Sequence, residues 1–525
     1  MRGIKKLRAV LAMIVGAAML LAGGCLALAG MLLSESKLGD ANAVLSAGEV
    51  RSSQGRMSII CMGGVERAVE DGVNVAEVQE NITGTAGLMI AGVPANKARG
   101  QWQAYSAEPP ENPQTGTGVT TSALSAELKA NSELGAPAFS GALSIARSQG
   151  NGAIMMGGNA HRAEAGDLRG LAYNSCSWPT NSAWLVGSAS AVGSSNRLIV
   201  ANPSLTSINV RVQAFSSIGE IPLGTSSVVL LPAHTVRSIS LDGLVDEDER
   251  VAFYLAADSG QFTATIQATA LDGFTPAGIE FLQAGRAGAS VMIPGLFLPA
   301  GQVDLGGVAG AEQTGTSALV DPAVKASVRI VNPGSKMLTA NVALIGGDGE
   351  VTELPGGSAV ELAPGAVLDL SLDGVKPGDY TVHIAADGAV AGGAMLRYDA
   401  AESGADVAWL AARSAVTHGA AAAGIGSTRL ILTPEIAGTS VRAGSATWIA
   451  YDADGKQLGS EKVQLDGTTG IDMPAGTTFV EVEAAAPVYG ALLGRADLGN
   501  GTGVAWSPLT DGGAGSSATH ILVAN

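Results

Sequence analysis

Residues 197–220 read RLIVANPSLTSINVRVQAFSSIGE, and residues 328–350 read VRIVNPGSKMLTANVALIGGDGE. In each stretch an apolar run ends on Asn-Pro, and a second run then alternates apolar and polar residues up to a glycine-containing turn. Proline has no N–H for a sheet, and a period of two gives a strand one buried and one exposed face. Each stretch therefore predicts two β-strands, and the chain contains this pattern twice.

The repetition continues past these stretches. LLPAHTVRSISLDGL, which starts at Leu230, matches LAPGAVLDLSLDGV from Leu362, and a weaker third copy runs from STRLILTP, ending at Pro434, to IDMPAGTTFVEVEA. Short strands separated by turn residues, with almost no helical periodicity, are typical of β-sandwiches. We therefore predict a mainly β protein with tandem immunoglobulin-like β-sandwich domains. A β-propeller or solenoid is the alternative, although the units of those folds are shorter.

The first residues predict a membrane anchor. Four basic residues among the first eight precede a 25-residue uncharged run at positions 9–33, long enough as a helix to cross a hydrocarbon core of about 30 Å. Because basic residues stay on the cytoplasmic side, we expect a single-pass protein with a cytoplasmic N-terminus and an extracytoplasmic bulk. Two alternatives remain open: signal-peptide cleavage after Ala29, or a lipoprotein box ending at Cys25.

Breaks in composition predict the domain boundaries. A Pro-containing polar stretch interrupts the first portion, and Gly, Thr and Asp cluster between the first two repeats. The predicted segments are a cytoplasmic stub and transmembrane anchor at 1–34, an irregular β domain at 35–190 with a mobile Pro/Ser/Thr-rich loop near 105–141, and sandwich repeats at 191–300, 320–410 and 420–525.

Charge and cysteine use limit the environment. A formal charge of −17 argues against a nucleic-acid partner, because phosphate binding requires basic patches. Beyond the leader the chain has two cysteines, Cys61 and Cys176, an even number in a compartment that permits disulfides. We expect these two to form a disulfide, with two buried free thiols as the alternative.

Five aromatic residues carry separate hypotheses. Trp178, Trp184, Trp409 and Trp506 lie near repeat boundaries, and VAW occurs at two of them. Each tryptophan is interpreted either as a plug at the end of a sandwich or between neighbours, or as an exposed platform on which a sugar ring stacks. Tyr380, in PGDYTVHIAADG, is expected to hydrogen-bond to nearby backbone at the start of a late strand.

Motifs for chemistry are missing from the sequence. The five histidines are scattered singly, and neither a nucleophile elbow, a Walker loop nor HExxH occurs. Two acidic clusters, at residues 246–249 and 452–455, offer oxygen ligands for calcium, although turn chemistry accounts for the second without a metal. We expect no catalytic residues, no cofactor and no metal site.

The anchor, the segment CSWPTNSAWLVG at residues 176–187, the Asn-Pro strand ending and the order of turns together resemble one known family. It is an actinobacterial family of membrane-anchored extracytoplasmic proteins, domain of unknown function 5719. The resemblance extends over about residues 50–510, with Cys61-Met62 where family members tend to have Cys-Pro. It implies an envelope location and no established activity.

These observations favour a non-enzymatic structural or interaction protein of the cell envelope, a tethered stalk of sandwiches with an envelope protein or polysaccharide as its partner. A glycan-binding protein is the first alternative. An envelope enzyme with an unrecognised site is the second, and it would require a cleft in which perturbed acids converge.

Overall fold

A computed structural model describes residues 56–66, 82–91, 100–107, 117–119, 124–128, 140–146, 154–245, 247–300, 323–400 and 404–512. Most of these residues lie in β-strands, and the one helical element among them is a 3-10 turn at Gly224–Ser227. The mainly β class is therefore confirmed. Within these ranges we find no helix of the length and apolarity that a bilayer crossing requires, and the predicted anchor lies outside them.

The strands form four modules, which we number along the chain. Module 1 contains β1 (Arg56–Met62), β2 (Ile82–Ala91), β3 (Gly100–Ala104), β4 (Thr117–Val119), β5 (Leu124–Leu128), β6 (Ser140–Ala146), β7 (Ile154–Ala163) and β8 (Gly170–Ser175). Module 2 contains β9 (Ser182–Val186), β10 (Ser194–Asn202), β11 (Ile208–Ser216), β12 (Gly219–Ile221), β13 (Val228–Leu231), β14 (Thr235–Ser240), β15 (Ala252–Ala257), β16 (Thr263–Asp272) and β17 (Thr275–Gln283). Module 3 contains β18 (Ala287–Leu298), β19 (Ala323–Val331), β20 (Leu338–Ile345), β21 (Val351–Glu353), β22 (Val360–Leu362), β23 (Val367–Ser371), β24 (Gly378–Ala400) and β25 (Gly404–Ala411). Module 4 contains β26 (Val416–Ala422), β27 (Ser427–Pro434), β28 (Ile436–Ala437), β29 (Ser440–Val441), β30 (Gly444–Tyr451), β31 (Gln457–Leu465), β32 (Thr469–Asp472), β33 (Phe479–Asp497), β34 (Thr502–Pro508) and β35 (Thr510–Asp511).

All four modules have the same strand order. Module 1 pairs its strands in the orders β1-β6-β3-β4 and β8-β7-β2-β5, and module 2 uses the equivalent orders β9-β15-β11-β12 and β17-β16-β10-β14. In modules 3 and 4 the long strands β24 and β33 replace the separate pair β15 and β16, because the first half of each long strand joins one sheet and the second half joins the other. The module is thus a two-sheet antiparallel unit that occurs four times.

This strand order corrects the prediction that the first domain is irregular. The portion that we expected to be irregular has the same strand order as the three repeats and is a fourth copy. Its expected loop near 105–141 contains β4 and β5 and ends where β6 begins. The copy is hard to recognise in the sequence because its strands lack the Asn-Pro ending.

Three boundaries also move. Strand β9 pairs with β15, and β18 pairs with β24, so each starts a module instead of ending the preceding one. Strand β26 pairs with β33, so module 4 begins at Val416 and not at the predicted residue 420. The modules therefore cover residues 56–175, 182–283, 287–411 and 416–511. The glycine-rich break that we predicted as a domain boundary between 300 and 327 lies inside module 3, between β18 and β19, and its residues 301–322 are outside the described ranges.

Each module buries alternate residues of its facing sheets. In module 3, for example, Val328 and Ile330 of β19 pack with Val342 and Leu344 of β20, as the period of two in VRIVNP and ANVALI predicts. Tyr380, at the start of β24, donates its hydroxyl hydrogen to the backbone oxygen of Lys376 at 2.9 Å, so the expected bond is confirmed.

The modules close into a ring instead of the expected stalk. Apolar clusters lie between modules 1 and 2 around Phe281, between 2 and 3 around Trp184, and between 3 and 4 around Trp506. A further cluster joins Met156 of module 1 to Phe479 of module 4, which closes the circle. The closed ring is a feature of the β-propeller that we considered as an alternative. The units of the ring have two sheets each, as a β-sandwich does.

Candidate functional site

Cys61 and Cys176 form a disulfide in module 1, with an S–S distance of 1.91 Å. Cys61 lies near the end of β1 in one sheet, and Cys176 directly follows β8 in the other. The backbone groups of Ile60 and Ser177 exchange hydrogen bonds of 2.8 and 2.9 Å beside it. The disulfide therefore clamps the two sheets of the first module together.

The four singled-out tryptophans lie at joints between modules. Trp184 and Trp409 are 6% and 5% exposed at the joint between modules 2 and 3, and Trp506 is 0% exposed between modules 3 and 4. Trp178 is partly buried and donates its indole N–H to the Asp511 carbonyl of module 4 at 2.6 Å. Because a stacking platform must present the ring face to solvent, the platform hypothesis is wrong for Trp184, Trp409 and Trp506.

The joints also bury charged groups. Arg329 of module 3 is 2% exposed, lies 4.6 Å from the Trp409 ring centroid and forms a salt bridge of 2.8 Å with Asp369. Its guanidinium also donates to backbone oxygens of module 2, including those of Glu249 and Val251. A buried guanidinium needs such a complete set of acceptors, so this contact fixes modules 2 and 3 in one arrangement.

Strands β8, β17, β25 and β34 each lie at one edge of a sheet, and these four edges meet at the centre of the ring. We call these four the closing strands, and they contact one another. Asp406 of β25 is 1% exposed, and its Oδ2 accepts hydrogen bonds from the backbone N–H groups of Leu171 and Val504, each at 2.9 Å. Its Oδ1 accepts a longer bond of 3.4 Å from Ile279 N–H. One carboxyl group therefore connects module 3 to modules 1, 4 and 2.

Glycines make room for this carboxyl group. Each of the three donor residues directly follows a glycine, namely Gly170, Gly278 and Gly503. A Cβ atom on Gly170 would lie 2.5 Å from Asp406 Oδ1, and one on Gly503 would lie 3.1 Å from Oδ2. Side chains at the first of these positions would therefore collide with the carboxyl group, and three of the four closing strands have glycine beside it.

A second buried carboxyl group lies two residues beyond the glycine of module 2. Glu280 of β17 is 0% exposed; its Oε1 accepts the Phe281 N–H at 2.6 Å, and no donor among the described residues lies within 3.5 Å of its Oε2 in hydrogen-bond geometry. Burial raises the pKa of Glu280 well above its ordinary value, and the charge of Asp406 raises it further, against the effect of the Phe281 N–H. Burial therefore favours the neutral form of Glu280.

Desolvation by burial raises the pKa of Asp406 to about 7, although the backbone N–H groups of Leu171, Val504 and Ile279 favour its ionised form. Arg169, 4% exposed and next to β8, donates to the Asn500 carbonyl of module 4 at 3.3 Å. Burial lowers the pKa of Arg169, and the Asp406 charge raises it. We call Asp406, Glu280 and Arg169 with the closing strands the hub.

The three hub side chains are buried, and those of Asp406 and Arg169 bond to neighbouring modules. Sequence reasoning missed Asp406 and Glu280, and the available signal was the series GLAY, GIEF, DVAW and GVAW in the closing strands. In that series Asp406 replaces a glycine and Glu280 replaces an alanine, so the four strands differ at the positions that contain the two acids.

The acidic clusters proposed for calcium have turn roles instead. The Asp452 carboxylate accepts the Asp454 and Lys456 N–H groups at 3.0 and 2.9 Å. Asp248 accepts the Ser217 and Arg250 N–H groups at 2.9 and 2.8 Å. Over the described ranges no group of three or more His, Cys, Asp or Glu residues has a geometry suited to a metal ion.

Comparison with known proteins gives one match. The model of a family of unknown function (DUF5719) matches residues 129–475, which is more than half of the 525-residue chain. The match runs from module 1 into module 4. No curated protein and no solved structure matches the chain.

Proposed function

The chain belongs to DUF5719, and on that premise we propose that it is a membrane-anchored extracytoplasmic protein of the cell envelope with a structural or interaction role and no enzymatic activity. The observation that carries the proposal is the hub. The acids with the most strongly raised pKa values, Asp406 and Glu280, are buried where four modules meet, so they serve assembly instead of lining an open cleft.

The extracytoplasmic location rests on two features. The disulfide between Cys61 and Cys176 requires an oxidising compartment to form and persist. The basic residues ahead of the uncharged run at 9–33 favour a cytoplasmic N-terminus, with the modules on the opposite side. The membrane partner of the chain is then the bilayer around that run.

The modules support the finer description as immunoglobulin-like. Each has two antiparallel sheets, module 1 has a disulfide between its sheets, and Tyr380 bonds to backbone four residues upstream in module 3. The long strands β24 and β33, which pass from one sheet to the other, are a departure from the usual strand arrangement. We therefore propose an immunoglobulin-like sandwich with a modified pair of late strands.

Protease treatment of intact cells that express the full chain tests the location. Digestion of the modules from outside, with the disulfide detected by mass spectrometry of non-reduced peptides, is the expected result. Full protection of the modules in intact cells and digestion only after lysis would refute the extracytoplasmic proposal. A cytoplasmic protein expressed in the same cells is the control for lysis.

Crosslinking in native membranes, followed by recovery of the full chain, tests the role. A protein recovered in a fixed ratio to the chain is the result expected for an interaction protein. Polysaccharide recovered without protein would favour the glycan-binding alternative, and Trp178→Ala would then test the one partly exposed tryptophan of the four. Trp506→Phe is the matched control, because that ring is buried.

A further inference from the structure

The hub closes a joint that the chain does not connect. Short segments link modules 1 to 2, 2 to 3 and 3 to 4, whereas modules 4 and 1 meet only through packing and hydrogen bonds in the described part of the chain. At this joint a single oxygen, Asp406 Oδ2, accepts the N–H of Leu171 from module 1 and the N–H of Val504 from module 4, both at 2.9 Å. One carboxyl group from a third module therefore bridges this joint, beside the direct hydrogen bonds of Tyr173 to Ile425 and of Trp178 to Asp511.

Few ionisable groups face that carboxyl group. Arg169 precedes β8, Tyr173 lies within β8, and Glu280 lies in β17; the closing strand β34 (Thr502–Pro508) contains none. Tyr173 is 2% exposed and donates its hydroxyl hydrogen to the Ile425 carbonyl at 2.7 Å, and burial raises its pKa beyond the range of the other groups. The charge of the hub in the neutral range is therefore set by the two acids, with Arg169 as the cation.

The two acids differ in how well they tolerate charge. Asp406 has three N–H donors from other modules, whereas Glu280 Oε2 has no hydrogen-bond partner in the described part of the chain. A buried ionised carboxylate with an unpaired oxygen is costly, so ionisation costs less for Asp406 than for Glu280. For both acids desolvation is the largest influence and opposes ionisation.

We propose that the Asp406–Glu280 pair is a pH-dependent lock on the ring, in which neutral carboxyl groups keep it closed and ionisation loosens the joint between modules 1 and 4. The direction of the pH effect on ring closure follows from proton linkage. A carboxyl group whose pKa is higher in the closed ring than in the open one stabilises closure at low pH, and that stability is lost as the pH rises through the closed-state value. Within the described ranges this joint is the one whose two modules no connecting segment links, so we expect it to open first.

The size of the pH effect on the opening equilibrium follows from the pKa of Asp406. With a pKa of about 7 in the closed ring and the ordinary value of 3.8 after opening, the opening equilibrium increases about thirtyfold between pH 5.5 and pH 8.5. Ionisation of Glu280 increases it further. The expected change is thus thirtyfold or more, and it is concentrated at β8 and β34.

Hydrogen exchange of the full chain, followed by mass spectrometry and corrected for the intrinsic rate at each pH, tests the lock. We expect protection of β8 and β34 to fall at least about thirtyfold from pH 5.5 to pH 8.5, while β20 in the core of module 3 keeps its protection. The double variant D406N/E280Q is expected to lose this pH dependence. Asp454→Asn removes one exposed charge from a turn of module 4 and is the matched control, which should behave as the wild type.

Three outcomes would overturn the proposal: a flat profile in the wild type, an unchanged slope in the double variant, or an equal loss of protection in all strands. Should the double variant fail to fold, E280Q alone decides the matter together with the wild type. It keeps the Asp406 contribution and is expected to retain about a thirtyfold change. A flat profile for E280Q would contradict the role of Asp406.

Discussion

The asparagine of the repeated Asn-Pro motif allows a stringent test of how the sequence specifies this fold. Asn332 is 0% exposed, and its Nδ2 lies 2.8, 3.0 and 3.1 Å from the backbone oxygens of Lys336, Leu362 and Ala363. Its Oδ1 accepts the Gly334 N–H at 2.9 Å. One side chain thus ties the end of β19 to its own turn and to the end of β22.

Asn332→Ala removes all of these contacts and leaves buried backbone groups unpaired. The amide has two N–H donors shared among three acceptors and one accepting oxygen, so with about 1 kcal/mol for each hydrogen bond the expected loss of unfolding free energy is about 3 kcal/mol. Asn332→Asp keeps the shape but turns a carboxylate oxygen toward three carbonyl oxygens. We expect it to cost more than the alanine variant at pH 8, because it buries an unpaired charge among acceptors.

The stability of the Asn332→Asp variant should depend on pH, and this dependence distinguishes it from Asn332→Ala. Burial and the surrounding oxygens raise the pKa of an aspartate at position 332 in the folded state, so its protonated form is preferred there. The variant should therefore regain stability as the pH falls toward 4, whereas Asn332→Ala should follow the wild type. Urea unfolding followed by circular dichroism measures both effects.

Asn341→Ala is the matched control for Asn332. Asn341 is exposed in β20, and its one contact in the described structure is the Ala359 N–H at 2.8 Å, so about 1 kcal/mol or less is expected. The reasoning fails if Asn332→Ala is no more destabilising than this control. It also fails if the aspartate variant at pH 8 is as stable as the alanine variant.

Three further predictions concern other parts of the ring. Replacing Cys61 and Cys176 by alanine opens a link between residues 115 apart and should destabilise module 1 by up to about 4 to 5 kcal/mol in urea unfolding, which an unchanged midpoint would contradict. Gly170→Ala places a Cβ atom 2.5 Å from Asp406 Oδ1 and should lower the unfolding free energy by about 2 kcal/mol or more, whereas Gly64→Ala, with open space around it, should be nearly neutral. Tyr380→Phe removes only the bond to the Lys376 carbonyl and should cost about 0.5–1.5 kcal/mol in the same assay; a larger loss would show that the ring itself is displaced.

Much of the module could be predicted from the sequence because its signals are local. The Asn-Pro ending, the period of two and the turn glycines act within a few residues, so they identified strands β10, β11, β19 and β20. The bond of Tyr380 was expected from the likeness of its segment to the tyrosine corner of immunoglobulin-like sandwiches. The boundaries were missed because the pairing partners of β9, β18 and β26 come later in the chain, 57 or more residues away in each case.

The hub could not be predicted for a related reason. The N–H donors of Asp406 lie 235, 127 and 98 residues away in sequence, and backbone donors leave no mark on residue type. The sequence does contain the glycines that leave space for the carboxyl group, since Gly170, Gly278 and Gly503 each precede a donor. A lone acid in an apolar strand, aligned with glycines in the other copies, is the pattern that would have indicated it.

The hub also explains why four similar modules are parts of one chain. In a ring of four identical modules, an aspartate in every closing strand would bring four carboxyl groups to one buried point, where their repulsion and desolvation would oppose assembly. A glycine in every copy would leave the donors of Leu171 and Val504 without their acceptor. Only unequal copies place one carboxyl group among three glycines, and a single chain is the direct way to fix which module contributes it. Divergence at these positions is therefore required by the ring, and exchanging the closing strands of modules 3 and 4 should separate Asp406 from its donors.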